Sequence, residues 1–206
     1  MIAIIDYGVG NLFSLASSLK AIGQDCVITA DAAQLKAASH IILPGVGAFE
    51  DAAKKLRATG LVDTIRSEAE NGKPLLGICL GMQMLFEKSF EYGEHEGLSL
   101  LPGEVVPLAP LLPDGLKVPH IGWNRLDLIK PEDPVFKYTR PDDYVYYVHS
   151  FYAAKCEAFT LAVSEYGIPV TGCVRRGSVV GMQFHPEKSG DAGLRLLRAF
   201  CEQKEA

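Results

Sequence analysis

Residues 1–43 read MIAIIDYGVGNLFSLASSLKAIGQDCVITADAAQLKAASHIIL, and the fold class follows from their pattern. Apolar runs of strand length stand at Ile2 to Ile5, Cys26 to Thr29 and Ile41 to Leu43, while Asn11 to Ile22 and Asp31 to Ala38 between them follow helical spacing. In the first helical segment Leu12, Leu15, Ala16, Leu19 and Ile22 share one face, Asn11 offers an N-cap oxygen, and Gly23 a left-handed stop. The pattern is βαβαβ. Parallel strands joined by helices need cover on both faces. The expected architecture is therefore an α/β fold, a three-layer α/β/α sandwich around a mainly parallel, mixed central sheet, with ligands at the carboxyl ends of the strands.

Beyond Pro102 the texture changes. Strand-like runs at Val105 to Leu108, Tyr144 to Val148, Phe159 to Ser164, Val170 to Arg175 and Val179 to Phe184 succeed one another with little helix between, which predicts a mixed or antiparallel extension of the same sheet. The Pro-rich stretch from Pro107 to Pro119 has the composition of a linker, but the chain beyond it is too short and strand-like to fold separately, so residues 1–206 are expected to form one domain.

Composition excludes several function classes. With 206 residues, 48% of them hydrophobic, the chain can bury a core without disulfides or a structural metal. A net charge of -5 with scattered basic residues disfavours nucleic acid as a partner. No basic leader precedes Ile2 and no apolar run is long enough to cross a bilayer, so no membrane role is expected and a cytoplasmic setting is. The five cysteines, Cys26, Cys79, Cys156, Cys173 and Cys201, are odd in number and include no Cys-x-x-Cys pair, which argues against a disulfide framework or a zinc site.

Cys79 differs from the other four. Leu75-Leu76-Gly77-Ile78-Cys79 is an apolar strand ending in a small-residue turn, and Gly81 to Phe86 reads as the start of a helix. Glycines two before and two after a nucleophile allow the sharp strand-to-helix turn of Gly-x-Ser-x-Gly hydrolases, and Gly77 and Gly81 hold those places around a cysteine. A helix N-terminus also favours thiolate over thiol. The usual role of a free cysteine, a small buried apolar side chain, is expected for Cys26, Cys156, Cys173 and Cys201.

A base lies farther along. Gly181 to Glu187 ends a strand, and residues two apart in extended chain point to one side, so His185 and Glu187 can face a common site. A histidine takes the thiol proton and returns it to a leaving group, while a carboxylate behind the ring sets its tautomer. Alone, His-x-Glu is more often a solvated ion pair. Its weight comes from Cys79 at another strand end. Tyr7-Gly8-Val9-Gly10-Asn11 does not make a dinucleotide fingerprint, because Phe13 stands where a third small residue is needed.

Pro44-Gly45-Val46-Gly47, Gly77-Ile78-Cys79-Leu80-Gly81-Met82-Gln83 and His185-Pro186-Glu187 together resemble the class I, or triad, glutamine amidotransferases, which share a flavodoxin-like sandwich. Asp6 to Leu12, Lys117 to Asn124, Tyr147 to Phe151 and Lys188 to Gly190 narrow the resemblance to the glutaminase subunits of imidazole glycerol phosphate synthases. The resemblance implies that Cys79 attacks the glutamine side-chain amide, that His185 gives the leaving ammonia its proton, and that water hydrolyses a glutamyl thioester, with no metal and no organic cofactor. It also implies an oxyanion site from the Leu80 amide and a second donor in the Gly45 to Gly47 loop, taken as Gly47, where rotation of one peptide would act as a switch. Gln83, His149, Ser150 and Phe151 match positions that hold glutamine, and Asn11, Trp123, Asn124 and Tyr146 match the partner-facing surface. The implied partner is a separate (β/α)8-barrel cyclase that uses the ammonia to make imidazole glycerol phosphate in histidine biosynthesis, releasing an aminoimidazole carboxamide ribotide as by-product. The chain ends about twenty residues after His185, so no synthase domain is expected on it. Glutamine hydrolysis is expected to be slow without that cyclase. The alternatives are a glutaminase subunit for another product such as anthranilate or pyridoxal phosphate, a non-glutaminase cysteine hydrolase, and a silent docking subunit, the last disfavoured by the intact triad.

Overall fold

The computed structural model describes residues 1–204. The first strands, β1 (Ile2–Ile5), β2 (Cys26–Thr29) and β3 (His40–Leu43), alternate with helices α1 (Leu12–Ala21) and α2 (Ala32–Ala37). The expected βαβαβ is present, with Asn11 and Asp31 as side-chain N-caps. Helices α3 (Phe49–Ala58) and α4 (Val62–Glu70) then lead to β4 (Leu75–Ile78) and the short α5 (Leu80–Met84). Neither α3 nor α4 was read from the sequence, although Phe49, Ala52, Ala53 and Leu56 form a buried helical stripe. The strands β5 (Phe86–Ser89), β6 (His95–Glu96), β7 (Leu101–Pro107), β8 (His120–Arg125), β9 (Asp127–Leu128), β10 (Tyr144–His149), β11 (Phe151–Ala154), β12 (Thr160–Glu165), β13 (Pro169–Arg176) and β14 (Val179–Met182) precede the closing helix α6 (Gly190–Cys201).

Among the described residues the largest sheet has eight strands in the order β2-β1-β3-β4-β14-β13-β12-β9. The five from β2 to β14 run parallel, and β13, β12 and β9 continue antiparallel. Strand β1 is buried throughout, and alternation splits its side chains between two layers. Ala3 and Ile5 join Leu35 of α2, Phe49 and Leu56 of α3 and Ile65 of α4; Ile2 and Ile4 join Leu15 and Leu19 of α1 and Leu196, Leu197 and Phe200 of α6. This is the expected three-layer sandwich.

Two expectations are corrected. The runs Val105 to Leu108 and Tyr144 to Val148 do not extend the central sheet: β7 pairs with β5 and β11 in a four-stranded sheet that β6 completes, and β10 pairs with β8 in a two-stranded one. Alternation makes a strand, but pairing is chosen by packing. The helix expected from Gly81 to Phe86 spans Leu80–Met84, and Phe86 opens β5, where it pairs with Leu101.

Strands β3, β4 and β14 are neighbours whose carboxyl ends carry Pro44, Cys79 and Gln183, and a crevice there is the usual ligand position of such a sheet.

Candidate active site

Cys79 stands between β4 and α5 with φ 53 and ψ -113, a left-handed conformation rare for a residue with a Cβ. Such strain costs of order 1–3 kcal/mol and persists only where the surroundings over-determine it. Here they do. The Cys79 amide donates to Met182 O at 2.7 Å, tying the elbow to β14. A Cβ on Gly77 would lie 2.7 Å from Met82 Cα, one on Gly45 would lie 2.5 Å from Gly81 N, and one on Gly81 would overlap the Leu43 carbonyl oxygen. Glycine at 45, 77 and 81 lets β3, β4 and α5 cross with their backbones in contact.

His185 lies just past β14. Its Nδ1 lies 2.7 Å from Glu187 Oε1, and both side chains are almost completely buried, 2% and 4% exposed. The carboxylate accepts from Nδ1–H, which leaves Nε2 for the other side of the ring, buried and without a hydrogen bond. Burial alone would push the ring's pKa down; Cys79 and the Glu187 carboxylate outweigh it and hold it up at about 9. Burial pushes the thiols of Cys156, Cys173 and Cys201 up, which marks them as inert. Cys156 and Cys173 are buried as expected, whereas Cys26 and Cys201 are half-buried.

Cys79 and His185 line one cleft of about 260 Å³ together with Val46, Gly47, Leu80, Gln83, Glu91, Pro119, Val148, His149, Ser150 and Phe151. The structure thus brings together all the residues expected at the oxyanion and substrate positions. Leu80 opens α5, where a helix amide has no intrahelical acceptor, and Gly47 has φ 89. Gln83 is buried rather than exposed on its helix; its Nε2 donates to Phe151 O at 2.9 Å and to Gln183 Oε1 at 3.0 Å. Both ring nitrogens of His149 are engaged inside the protein, with Phe151 O at 2.9 Å and His120 Nδ1 at 3.0 Å, so this side chain meets the cleft as a wall.

Sequence reading gave no individual role to Glu91, Gln183 or His120. Glu91 is the one carboxylate among the lining residues of this cleft; its Oε2 accepts from Phe49 N at 2.7 Å, and burial pushes its pKa up. It stands just past β5 in a segment without a motif. Gln183 was visible only as part of the strand before His185; its Nε2 donates to Cys79 Sγ at 3.9 Å.

The four residues expected at a partner surface divide. Trp123 is 54% exposed and packs edge-on against Tyr146, with ring centroids 6.0 Å apart, so it is no core residue. Lys188 Nζ sits 5.9 Å from the Tyr146 ring centroid. Asn124 lies on the other side of β8 from Trp123, its Nδ2 bonded to Glu165 O at 2.9 Å. Asn11 caps α1, accepting from Ser14 N at 3.4 Å, and lines a small cavity beside Pro44, His185 and Glu187. Among the described residues no three His, Cys, Asp or Glu side chains gather as a metal-ligating group, and no helix is long and apolar enough to cross a membrane.

Known proteins are similar to this chain along its length. The family profile for glutamine amidotransferase class-I matches residues 3–203. The imidazole glycerol phosphate synthase subunit HisH of Caldanaerobacter subterraneus subsp. tengcongensis is 51% identical over 203 residues, 98% of each chain. The protein of that name from Lacticaseibacillus casei is 50% identical over 205 residues, 100% of this chain and 97% of the relative. A crystal structure of a glutamine amidotransferase superposes with a TM-score of 0.77 at 23% identity, covering 98% of both chains, and so shares the fold. With half its residues shared along essentially the whole length of such relatives, the chain belongs to the class I glutamine amidotransferase family, in the company of the HisH subunits of imidazole glycerol phosphate synthase.

Proposed function

We propose that this chain is the glutaminase subunit of an imidazole glycerol phosphate synthase, with Cys79 as nucleophile, His185 as proton carrier and Glu187 as the residue that orients the ring. The observation that carries the reading is the shared cleft: Cys79 at a strained elbow, beside a buried His185–Glu187 pair at 2.7 Å, in a cavity whose lining includes Glu91. L-Glutamine fits this chemistry. Its α-ammonium finds a carboxylate in Glu91, and its side-chain amide reaches Cys79.

In the first half-reaction His185 takes the Cys79 proton, the sulfur attacks the amide carbon, and the oxyanion forms beside the Leu80 and Gly47 amides. The imidazolium of His185 gives its proton to the leaving nitrogen; the C–N bond breaks, and ammonia and a glutamyl thioester result. In the second, His185 takes a proton from water as the hydroxide attacks the thioester; the C–S bond breaks, His185 returns the proton to the sulfur, and glutamate leaves with the thiol restored. Glu187 holds the ring with Nδ1–H toward itself in both.

The ammonia passes to a (β/α)8-barrel cyclase. The surface that suits such a partner is the outward side of β8, where Ile121 and Trp123 are 57% and 54% exposed beside Tyr146. Glutamate release from glutamine by the chain alone, and with the cyclase plus its phosphoribosyl substrate, tests the reading. Strong stimulation, abolished by Cys79→Ser, supports it; equal rates with and without the cyclase overturn the partner, and hydrolysis that survives Cys79→Ser overturns the nucleophile.

A further inference from the structure

Behind the cleft a line of hydrogen bonds runs from β8 to the wall that carries the substrate residues, and its direction can be worked out atom by atom. Phe151 O is a carbonyl and only accepts, so the 2.9 Å contact with His149 requires a proton on His149 Nδ1. A neutral ring protonated there presents a lone pair at Nε2. The 3.0 Å contact between His149 Nε2 and His120 Nδ1 then requires the proton on His120 Nδ1. This leaves His120 Nε2 as an acceptor, facing Asn124 Nδ2 at 3.3 Å. The Asn124 amide is oriented independently, because its Oδ1 accepts from Arg125 N at 2.8 Å and its Nδ2 also donates to Glu165 O at 2.9 Å. Every group in the line has one role consistent with all its neighbours.

The rings are neutral and held. Burial pushes both His120 and His149 down to about 4. His120 is 2% exposed and lies between the rings of Tyr147 and Tyr166, with centroids 4.7 Å and 4.0 Å away and planes 21° and 20° from parallel. Tyr147 is anchored in turn through its hydroxyl to Ser164 Oγ at 2.8 Å. His120 therefore has little freedom to turn its donor away.

The line ends where the substrate wall begins. Phe151 O accepts from His149 and from Gln83 at once, and Gln83 passes its other amide hydrogen to Gln183, whose own amide reaches Cys79 Sγ. We propose that His120, which lies outside the cleft lining, is a positioning residue for glutamine: its Nδ1–H, donated to His149 Nε2, acts with the Phe151 carbonyl to hold His149 in the Nδ1–H tautomer, and His149 with Gln83 then pins the Phe151 carbonyl and the shape of the 149–151 wall. The proposal rests on the glutaminase reading for its kinetic consequence and on the hydrogen-bond geometry for its spectroscopic one.

The test has two independent readouts. Long-range ¹⁵N–¹H spectra of the wild-type chain should show both His120 and His149 as neutral Nδ1–H tautomers; Nε2–H on either ring overturns the proposal whatever the enzyme does. Kinetics of glutamate release, measured with the barrel cyclase, should show that His120→Leu raises KM for glutamine by about tenfold while kcat changes less than about threefold, the pattern of lost ground-state positioning. The spectrum of that variant should show His149 no longer held as a single Nδ1–H tautomer. His120→Asn places an amide donor near the lost Nδ1–H and should return KM to within about threefold of wild type. Equal KM effects for Leu and Asn would mean that the ring's stacking matters rather than its donor, and would overturn the assignment, as would a His120→Leu variant with His149 still Nδ1–H and KM unchanged. Failure of the wild-type chain to hydrolyse glutamine counts against the glutaminase reading, and the tautomer result then decides the positioning claim alone.

Discussion

His185 receives opposing pressures. Burial disfavours its charge, while Cys79 and Glu187 favour it strongly enough to hold its pKa at about 9 against an ordinary 6.5. A proton bound more tightly in the folded state stabilises the fold fully below pH 6.5, and that contribution fades as pH rises through about 9. A ring titrating near 9 by NMR is the expected result, with Cys79→Ala lowering the midpoint because the largest favourable partner is gone; an unchanged midpoint would contradict the Cys79–His185 pairing. Glu187 acts on the same ring from behind. Glu187→Gln keeps the shape but can hold the wrong tautomer, and should lower kcat for glutamate release by about 10²–10⁴ with little change in fold. At this scale the sequence was informative where function dictates a local pattern, as in Gly77-Ile78-Cys79-Leu80-Gly81 and His185-Pro186-Glu187. Glu91 and Gln183 escaped notice, since one lies in a patternless segment and the other meets Gln83 across 100 residues of chain.

Elements matter most at the elbow. Helix α5 has five residues, too few to hold itself together in water, and Cys79 before it is strained. Both are kept by backbone contact between β3, β4 and α5 at the glycines. Gly81→Ala should therefore destabilise by at least about 2 kcal/mol in urea unfolding, since its new methyl would overlap the Leu43 carbonyl oxygen rather than a movable side chain. Gly23→Ala is the comparison. It sits in open space at φ 76, so only the left-handed conformation is penalised, by about 1 kcal/mol. Equal losses would remove the close-approach explanation. The first strands and helices were readable to within a residue or two, because caps and periodicity are local. Strand β5 was hidden by a helix that stops after one turn, and Phe86 opens a strand whose partner, Leu101, lies outside any local pattern.

For the whole molecule, the paired histidines and the exposed face of β8 each have a measurable consequence. The folded pKa values of His120 and His149, about 4, lie below the ordinary 6.5, so between these values the unfolded chain takes up protons that the native one refuses. Stability should fall as pH drops from 6.5 to 4, read as a declining Tm, and the decline should be shallower in His120→Leu; parallel slopes would show that other groups dominate. Trp123→Ala, at an exposed position on β8, should leave Tm within about 2 °C of wild type and, if the proposed cyclase docks on this face, weaken its binding by at least about tenfold. Unchanged affinity in titration calorimetry would move the docking surface elsewhere. The parallel α/β core, the cysteine elbow and the His-x-Glu pair were legible along the chain, because each is written in spacing, turn chemistry and alternation within a few residues. Three-dimensional packing settles which strands leave the central sheet, that Glu91 enters the cleft, that Asn124 turns inward while Trp123 faces out, and that His120 meets His149. Those outcomes depend on register and burial between segments far apart in the chain, where no local pattern specifies the partner.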